Sequence, residues 1–131
     1  KVIQTESVKS WRDCLEYLNI DNWQKSVDAL KTKNYDVVGG LYVTHYVSPK
    51  KEYRNYYSGN FWWGDCEYIS KLPNLSLTYV DTMYNGDMSD HRMACELWIG
   101  KGYHRWLNYY SEYVVGWENH IFDSTKYKVF G

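Results

Sequence analysis

Apolar residues recur at helical spacing near the start of the chain. Four of them lie three or four positions apart: Val8, Trp11, Leu15 and Leu18. A second series has the same spacing: Trp23, Val27 and Leu30. Side chains spaced in this way lie on one face of an α-helix. The pattern therefore predicts two amphipathic helices, of which the second is capped by Asp21 or Asn22 and ends before Asn34.

The pattern changes at residues 35–43, YDVVGGLYV, which form a β-branched apolar run. Such a run is typical of a buried strand, and Gly39 with Gly40 indicates a bend or a close approach of backbone. The next stretch, residues 44–55, is polar, contains Pro49 and predicts an exposed loop. A helix pair should therefore lead into a sheet, as in the α/β class.

A second strand and a short helix are predicted to follow. Residues 56–63, YYSGNFWW, have the aromatic content of a strand. Asp65 then stands where it can cap a helix that runs through Leu72, with Pro73 just beyond its end. The strand should therefore run directly into a helix start.

The remaining chain has weaker signals. Residues 85–90, NGDMSD, have the composition of a turn, and the helix after them should stop at Gly100 or Gly102. Residues 103–115 fit either a helix or strands. Residues 121–131 predict a late strand.

The charge balance argues against two classes of partner. The 131 residues include 15 Lys and Arg and 16 Asp and Glu, for a formal net charge of −1. A near-neutral chain offers no electrostatic footprint for nucleic acid or an anionic membrane. No apolar run approaches the roughly 18 residues of a membrane-spanning helix. We therefore expect one soluble domain over residues 1–131, with no nucleic-acid partner and no transmembrane segment.

Cysteine and histidine spacing indicates neither disulfides nor a preformed metal site. The three cysteines, Cys14, Cys66 and Cys95, are widely separated, which fits reduced thiols in the cytoplasm. The four histidines have no H-x-x-x-H or H-E-x-x-H spacing. Phosphate-cradling glycine motifs and hydrolase nucleophile motifs are also absent from the sequence.

Aromatic residues make up 19% of the chain, and SGNFWW concentrates them beside small polar residues. Gly59 allows close backbone approach, Asn60 offers a donor and an acceptor, and two tryptophans offer flat apolar faces. A sugar site needs all three properties. The alternative is structural: strand alternation would send Phe61 and Trp63 to one face and Trp62 to the other.

A second cluster of chemical groups lies in SDHRMACELWIG. His91, Arg92 and Glu96 fall within about two helical turns, and Arg92 and Glu96 are four positions apart on one helix face. A carboxylate held by an arginine in an aromatic pocket could act as a base. The alternative is an ordinary ion pair, which contributes little to stability.

Four segments together resemble the second half of a family of small glycosyltransferases from viral and bacterial glycan-building enzymes. In chain order they are WRDCLEYLNIDNW, YDVVGG, YSGNFWWGDCEYISKLP and HRMACELWIG. The resemblance extends from about Val8 to Gly100. These enzymes are similar to nucleotide-sugar transferases of the GT-A fold, an α/β/α sandwich with a mixed sheet flanked by helices. The family uses Mn²⁺ or Mg²⁺ on the diphosphate of its donor.

The resemblance implies roles for particular residues. Four would lie where the donor and acceptor sugars meet: Gly59, Asn60, Trp62 and Trp63. Glu96 would be the catalytic base, which deprotonates the acceptor hydroxyl. His91 and Arg92 are close enough in sequence to assist. The implied partners are a nucleotide sugar and a glycan acceptor.

The family's first half, with its nucleotide-binding strands and acidic metal motif, has no counterpart in these residues. We therefore expect the chain to be the C-terminal part of a larger GT-A domain, with an upstream half as its partner. A non-catalytic carbohydrate-binding module is the alternative. An aromatic-rich interaction domain is a third possibility.

Overall fold

The computed structural model of the chain describes residues 2–47, 52–74, 95–114, 116 and 119–130. Four α-helices lie in these residues: α1 (Val2–Glu16), α2 (Trp23–Lys31), α3 (Cys66–Ser70) and α4 (Ser124–Tyr127). A π-helical turn, Tyr17–Asp21, joins α1 to α2. Short 3₁₀ turns form at Ser58–Asn60, Trp98–Gly100 and Lys128–Phe130, and residues 95–97 are helical.

Five strands in the described residues form two sheets: β1 (Val37–Gly39), β2 (Tyr42–Val47), β3 (Glu52–Tyr57), β4 (Trp63–Gly64) and β5 (Trp106–Asn108). The central sheet has the order β4-β1-β5. Strand β1 is antiparallel to β4, with Val38 opposite Trp63, and parallel to β5, with Val38 opposite Leu107. Helices beside a mixed sheet confirm the α/β class, while the GT-A fold itself stays a prediction.

Residues 44–55, predicted to be an exposed loop, belong mostly to a hairpin instead. Strands β2 and β3 pair antiparallel, and their register sets Tyr42 opposite Tyr57 and Thr44 opposite Asn55. A two-stranded ribbon has no need of a continuous apolar run, because its backbone groups bond to each other. The polar composition therefore concealed the strands from sequence analysis.

The predicted strand at residues 56–63 is broken in the middle. Strand β3 ends at Tyr57, and the turn Ser58–Asn60 separates it from β4. Gly59 has a φ of 72° and Asn60 a φ of 61°, left-handed values that no strand residue adopts. The chain therefore turns within the aromatic stretch and re-enters the sheet at Trp63.

The late strand predicted for residues 121–131 is also wrong. Helix α4 and the 3₁₀ turn Lys128–Phe130 occupy this segment. Asp123 caps α4, since its Oδ1 accepts a hydrogen bond from the backbone N–H of Thr125 at 2.9 Å. A local cap thus outweighs the β-branched composition of the tail.

The predicted helices near the start of the chain are confirmed, with α1 beginning earlier than Val8. Asn22 stands at the N-cap position of α2, but its side chain makes no capping hydrogen bond. Leu15 and Leu18 are buried as expected, whereas Val8 and Trp23 are about half exposed. The predicted cap of α3 is also confirmed, because Asp65 Oδ1 accepts hydrogen bonds from the backbone N–H groups of Glu67 and Tyr68.

Strand β1 is buried on both faces and divides the core. One cluster includes Cys14, Leu15, Leu18 and Val38, and the other includes Val37, Tyr57, Tyr68 and Ile99. Successive strand residues point to opposite faces, so Val37 and Val38 enter different clusters. The two faces of β1 are therefore covered by different side chains. Cys14, Leu15 and Leu18 pack on the face of Val38, and Tyr57, Tyr68 and Ile99 pack on the face of Val37.

The 3₁₀ turn Trp98–Gly100 packs closely on β3. A Cβ added to Gly100 would lie 2.3 Å from the backbone oxygen of Asn55. That contact is with backbone, which cannot rotate away. Gly100 is therefore required for the close approach of these two segments.

We expect Gly100→Ala to lower the free energy of unfolding by about 1–3 kcal/mol, because the added methyl group forces the two segments apart. Gly116→Ala is the matched control, since a Cβ at Gly116 would have no heavy atom of the described residues within 4 Å, its chain neighbours aside. Urea unfolding of both variants measures the difference. Equal stabilities would contradict the close approach at Gly100.

Candidate functional site

The turn Ser58–Asn60 is held against α1 and the end of β1. The backbone N–H of Ser58 donates to the carbonyl oxygen of Leu41 at 3.0 Å, and the indole N–H of Trp11 donates to Ser58 Oγ at 3.0 Å. A Cβ at Gly59 would lie 2.8 Å from Leu15 Cδ1 and 2.9 Å from Trp11 Cζ2. The neighbours of Gly59 are thus protein side chains, and its predicted sugar contact stays a prediction.

Asn60 is exposed at the end of this turn and orients a tryptophan. Its Oδ1 accepts a hydrogen bond from the indole N–H of Trp62 at 2.7 Å. Asparagine tolerates the left-handed backbone better than other residues with a Cβ. The turn therefore fixes both the amide and the indole ring beside it.

The three consecutive aromatic residues divide between the two core clusters. Phe61 and Trp63 pack against the cluster of Val38, and Trp62 packs against the cluster of Val37. This is the alternation expected from the structural alternative. All three side chains are nevertheless only partly buried, so part of each ring remains accessible to a ligand.

These rings line a pocket of about 260 Å³, which we call the aromatic pocket. Its six lining residues are Asn19, Ile20, Asn60, Phe61, Trp62 and Trp63. A cavity of about 150 Å³ suffices for benzene, so the volume can hold one six-membered ring. The lining combines large aromatic and aliphatic residues with two asparagines.

The aromatic pocket lies beside the carboxyl end of β1. The backbone oxygen of Phe61 is 3.1 Å from the place where a Cβ on Gly39 would lie. Because β4 runs antiparallel to β1, the pocket lies where β1 ends and β4 begins.

Asn19, in the π-helical turn, is one of the residues that line the aromatic pocket and was not predicted as a site residue. It is only 3% exposed. Its Nδ2 donates to the carbonyl oxygen of Leu15 at 2.9 Å, and its backbone oxygen accepts from the indole N–H of Trp63 at 2.7 Å. Its Oδ1 is buried without a hydrogen-bond partner among the described residues. An unpaired buried acceptor costs about 1–3 kcal/mol.

Comparisons with protein-family models, with curated proteins and with solved structures found no match for this chain. The chemistry of the aromatic pocket is therefore inferred from its own residues. Glu96 is not among those that line it. His91 and Arg92 lie outside the described residues.

Glu96 is half-buried in the helical stretch 95–97 that leads into the turn Trp98–Gly100. The indole N–H of Trp98 donates to the backbone oxygen of Pro73 at 2.6 Å. Trp98 and Trp62 pack against the same core cluster. Glu96 therefore lies two residues before Trp98, and Trp98 packs against the same core cluster as the pocket residue Trp62.

A second, charged pocket of about 530 Å³ lies at the opposite end of β1. Arg105 and Asp36 pair across it, with their closest ion-pair atoms 3.0 Å apart, and Lys33 pairs with Asp65 at 3.0 Å. The hydrogen bond from Arg105 holds the pKa of Asp36 below its usual range, and the hydrogen bond from Lys33 does the same for Asp65. These charges already neutralise one another.

Glu112 joins two other polar side chains near the tail. One carboxylate oxygen bonds to His120 Nε2, and the other accepts from the Tyr110 hydroxyl at 2.7 Å. Burial raises the pKa of the nearby Cys14 thiol to about 12, with a smaller contribution from the charge of Glu112. Cys14 is therefore a packing residue and not a nucleophile.

The expected Mn²⁺ or Mg²⁺ finds no preformed ligand set in the described residues. Nowhere among them do three His, Cys, Asp or Glu side chains come together to hold a metal ion. Asp65 and Glu67 form a D-x-E sequence, the form of an acidic metal motif, but the Asp65 carboxylate caps α3 instead. Over the same residues, no helix is both long and apolar enough to cross a membrane.

The left-handed backbone at Asn60 makes a direct test of the turn possible. We expect Asn60→Ala to be less stable than Asn60→Gly by about 1 kcal/mol, because alanine is strained at positive φ and glycine is not. Both variants remove the acceptor for Trp62, so that loss cancels in the comparison. Thermal and urea unfolding measure the difference, and a more stable alanine variant would refute the turn geometry.

Proposed function

We propose that this chain carries the sugar-binding part of a glycosyltransferase, and that the aromatic pocket binds one sugar ring. The observation that carries the proposal is the lining of that pocket. Trp62 and Trp63 offer aromatic rings, and the exposed Asn60 offers an amide. A pyranose has an apolar C–H face and a rim of hydroxyl groups, which such a lining complements.

The two tryptophans are pre-oriented for this role. Their indole N–H groups are bonded to Asn60 and to the backbone of Asn19, at 2.7 Å in each case. Fixed rings lose little conformational freedom when a ligand binds. A sugar ring in the aromatic pocket would therefore stack on a rigid aromatic surface.

In the transfer reaction, the proposed role of Glu96 is that of general base. Its carboxylate takes the proton of an acceptor hydroxyl while that oxygen forms a bond to the anomeric carbon of the donor sugar. The bond from that carbon to the nucleoside diphosphate breaks, and the diphosphate leaves with the electron pair. Glu96 ends protonated and the sugar ends on the acceptor.

The donor in this proposal is a nucleotide sugar, and the acceptor is a glycan. The resemblance implies a divalent metal for the complete enzyme, but the described residues do not supply its ligands. The three cysteines are unpaired, which supports a cytoplasmic location. His91 and Arg92 keep their proposed assisting roles.

A carbohydrate-binding module without transfer is the second candidate. One observation favours it: Glu96 is absent from the residues that line the aromatic pocket. Sugar binding would then be the whole function, with Glu96 structural. The two candidates share the aromatic pocket and differ only in the reaction.

Sugar binding can be measured with methyl glycosides of glucose, galactose, mannose and N-acetylglucosamine. A ligand of about 13 non-hydrogen atoms at about 0.3 kcal/mol per atom should bind with a Kd of roughly 1 mM. We expect Trp62→Leu to weaken binding roughly 2- to 10-fold, because an aromatic contact contributes about 0.5–1.5 kcal/mol. Indole N–H resonances in ¹H–¹⁵N spectra report the titration.

Trp106→Leu is the matched control for that substitution. Trp106 is 47% exposed and stacks on Tyr42, with ring centroids 4.2 Å apart. It does not line the aromatic pocket, so its loss should leave glycoside affinity unchanged. Equal effects of the two substitutions, or no binding by the unaltered protein, would reject the sugar site.

The transferase candidate is tested with Glu96→Gln in the complete enzyme. Glutamine keeps the size of the side chain but removes the basic oxygen, so kcat should fall about 10²- to 10⁴-fold with donor binding little changed. Glu67→Gln is the control, since Glu67 is an exposed residue of α3. A near-normal kcat would remove the base role, and failure to fold would favour the structural alternative for Glu96.

A further inference from the structure

We infer that Asn60 is a specificity-determining contact of the bound sugar, and that its Nδ2 donates a hydrogen bond to the oxygen of a sugar hydroxyl. This inference deepens the proposed function and rests on it, because it concerns a ligand of the aromatic pocket. In sequence, the amide of Asn60 offers both a donor and an acceptor. In the structure the protein itself uses the acceptor, which leaves the donor for the ligand.

The orientation of the Asn60 amide is set by Trp62. An indole N–H donates a hydrogen bond and cannot accept one. The atom of the amide that faces it is therefore the oxygen, and Oδ1 lies 2.7 Å from Trp62 Nε1. The nitrogen is bonded to the same carbon as Oδ1 and carries two N–H donors. A ligand gains most from this nitrogen, because the oxygen already has a partner.

This donor lies beside a ring that lines the aromatic pocket. Asn60 is exposed, and both Asn60 and Trp62 belong to the lining. The amide meets the indole at its nitrogen, which is on the edge of the ring system. A sugar stacked on the face of Trp62 extends its hydroxyl groups past such an edge. In pockets lined by aromatic side chains, a few placed polar groups of this kind fix the orientation of the ligand.

The donor is also held in place before a ligand arrives. Asn60 ends the turn Ser58–Asn60 with a φ of 61°, and the backbone N–H of Ser58 anchors that turn to Leu41. The hydrogen bond to Trp62 restrains the side chain in addition. Little conformational freedom is then lost on binding, so one hydrogen bond at this position should have a measurable effect on affinity.

A donor at this position selects the ligand by chemistry. A hydroxyl oxygen accepts a hydrogen bond from Nδ2, and a methoxy oxygen accepts one too, although it cannot donate. A hydrogen atom in the same position offers no acceptor. The site should therefore tolerate methoxy and disfavour hydrogen at one ring position. A protein acceptor would disfavour both.

The first test uses two series of analogues of one parent glycoside. The parent is whichever of the four methyl glycosides binds most tightly, and each of its hydroxyl groups is replaced in turn by hydrogen or by methoxy. At one position we expect unaltered protein to lose about 5-fold in affinity with hydrogen and less than about 2-fold with methoxy. No loss for any monodeoxy analogue, or equal losses for hydrogen and methoxy, would overturn the inference.

The second test is Asn60→Asp, which removes the donor and keeps an acceptor for Trp62. Aspartate also tolerates the left-handed backbone, so we expect an unchanged melting temperature. The variant should bind the parent about 5-fold more weakly. It should bind the parent and the sensitive monodeoxy analogue equally well, because both changes remove the same hydrogen bond.

Asn34→Asp is the matched control, with the same change of charge. Asn34 is exposed and does not line the aromatic pocket, so its substitution should leave glycoside affinity unchanged. Equal weakening by the two substitutions would overturn the inference, as would unchanged affinity of Asn60→Asp. Independent, additive losses from Asn60→Asp and the monodeoxy analogue would show that different interactions were removed, and would overturn it as well.

A third measurement needs no substitution and decides the question even if Asn60→Asp fails to fold. On titration of unaltered protein with the parent, one side-chain N–H proton of Asn60 should move downfield in ¹H–¹⁵N spectra, and the sensitive monodeoxy analogue should leave it in place. Binding of the parent without that movement would reject the inference and leave the proposed function intact. Absence of binding by any of the four glycosides would reject both.

Discussion

The position of Tyr57 determines how the central sheet and the aromatic stretch are related. Its side chain is fully buried, and its hydroxyl lies 3.2 Å from the carbonyl oxygen of Val37 and 2.9 Å from that of Leu107. The ring lies so close to Gly39 that a Cβ there would be 2.9 Å from it. Burial raises the pKa of this phenol, so it remains a neutral donor. One side chain at the end of β3 thereby contacts both β1 and β5.

The position of the aromatic pocket depends on these contacts of Tyr57. Because Tyr57 is fixed under the sheet, the chain must reverse immediately afterwards, and Gly59 and Asn60 provide the left-handed backbone for that reversal. The reversal returns Trp63 to the edge of β1, opposite Val38. The aromatic pocket forms in the space between the turn and the π-helical segment. Its location at the carboxyl end of β1 is therefore a consequence of how the hairpin joins the sheet.

Local signals in the sequence were sufficient for some elements and insufficient for others. The helix cap at Asp65 and the buried strand at Val37 are set by residues adjacent in sequence, so both could be predicted. The hairpin could not, because cross-strand pairing supplies the stability that its polar sequence lacks. Asn19 follows Leu15 by four residues and so lies on the predicted apolar face of the helix. A polar residue on an apolar face is a signal that could have identified Asn19 as a candidate site residue. Its orphaned Oδ1 depends on the π-helical turn, which no spacing rule predicts.

Three adjacent aromatic residues can be accommodated here because each has a different neighbour. Alternation sends Trp62 to one core cluster and Phe61 with Trp63 to the other, and both indole N–H groups find an acceptor. The rings therefore stabilise the fold with their buried edges and leave their remaining surface to the pocket. The same side chains thus belong both to the core and to the lining of the pocket. Substitutions that remove ring area should therefore lower stability as well as any binding that depends on the rings, whereas Asn60 is exposed and can be replaced with less effect on the core.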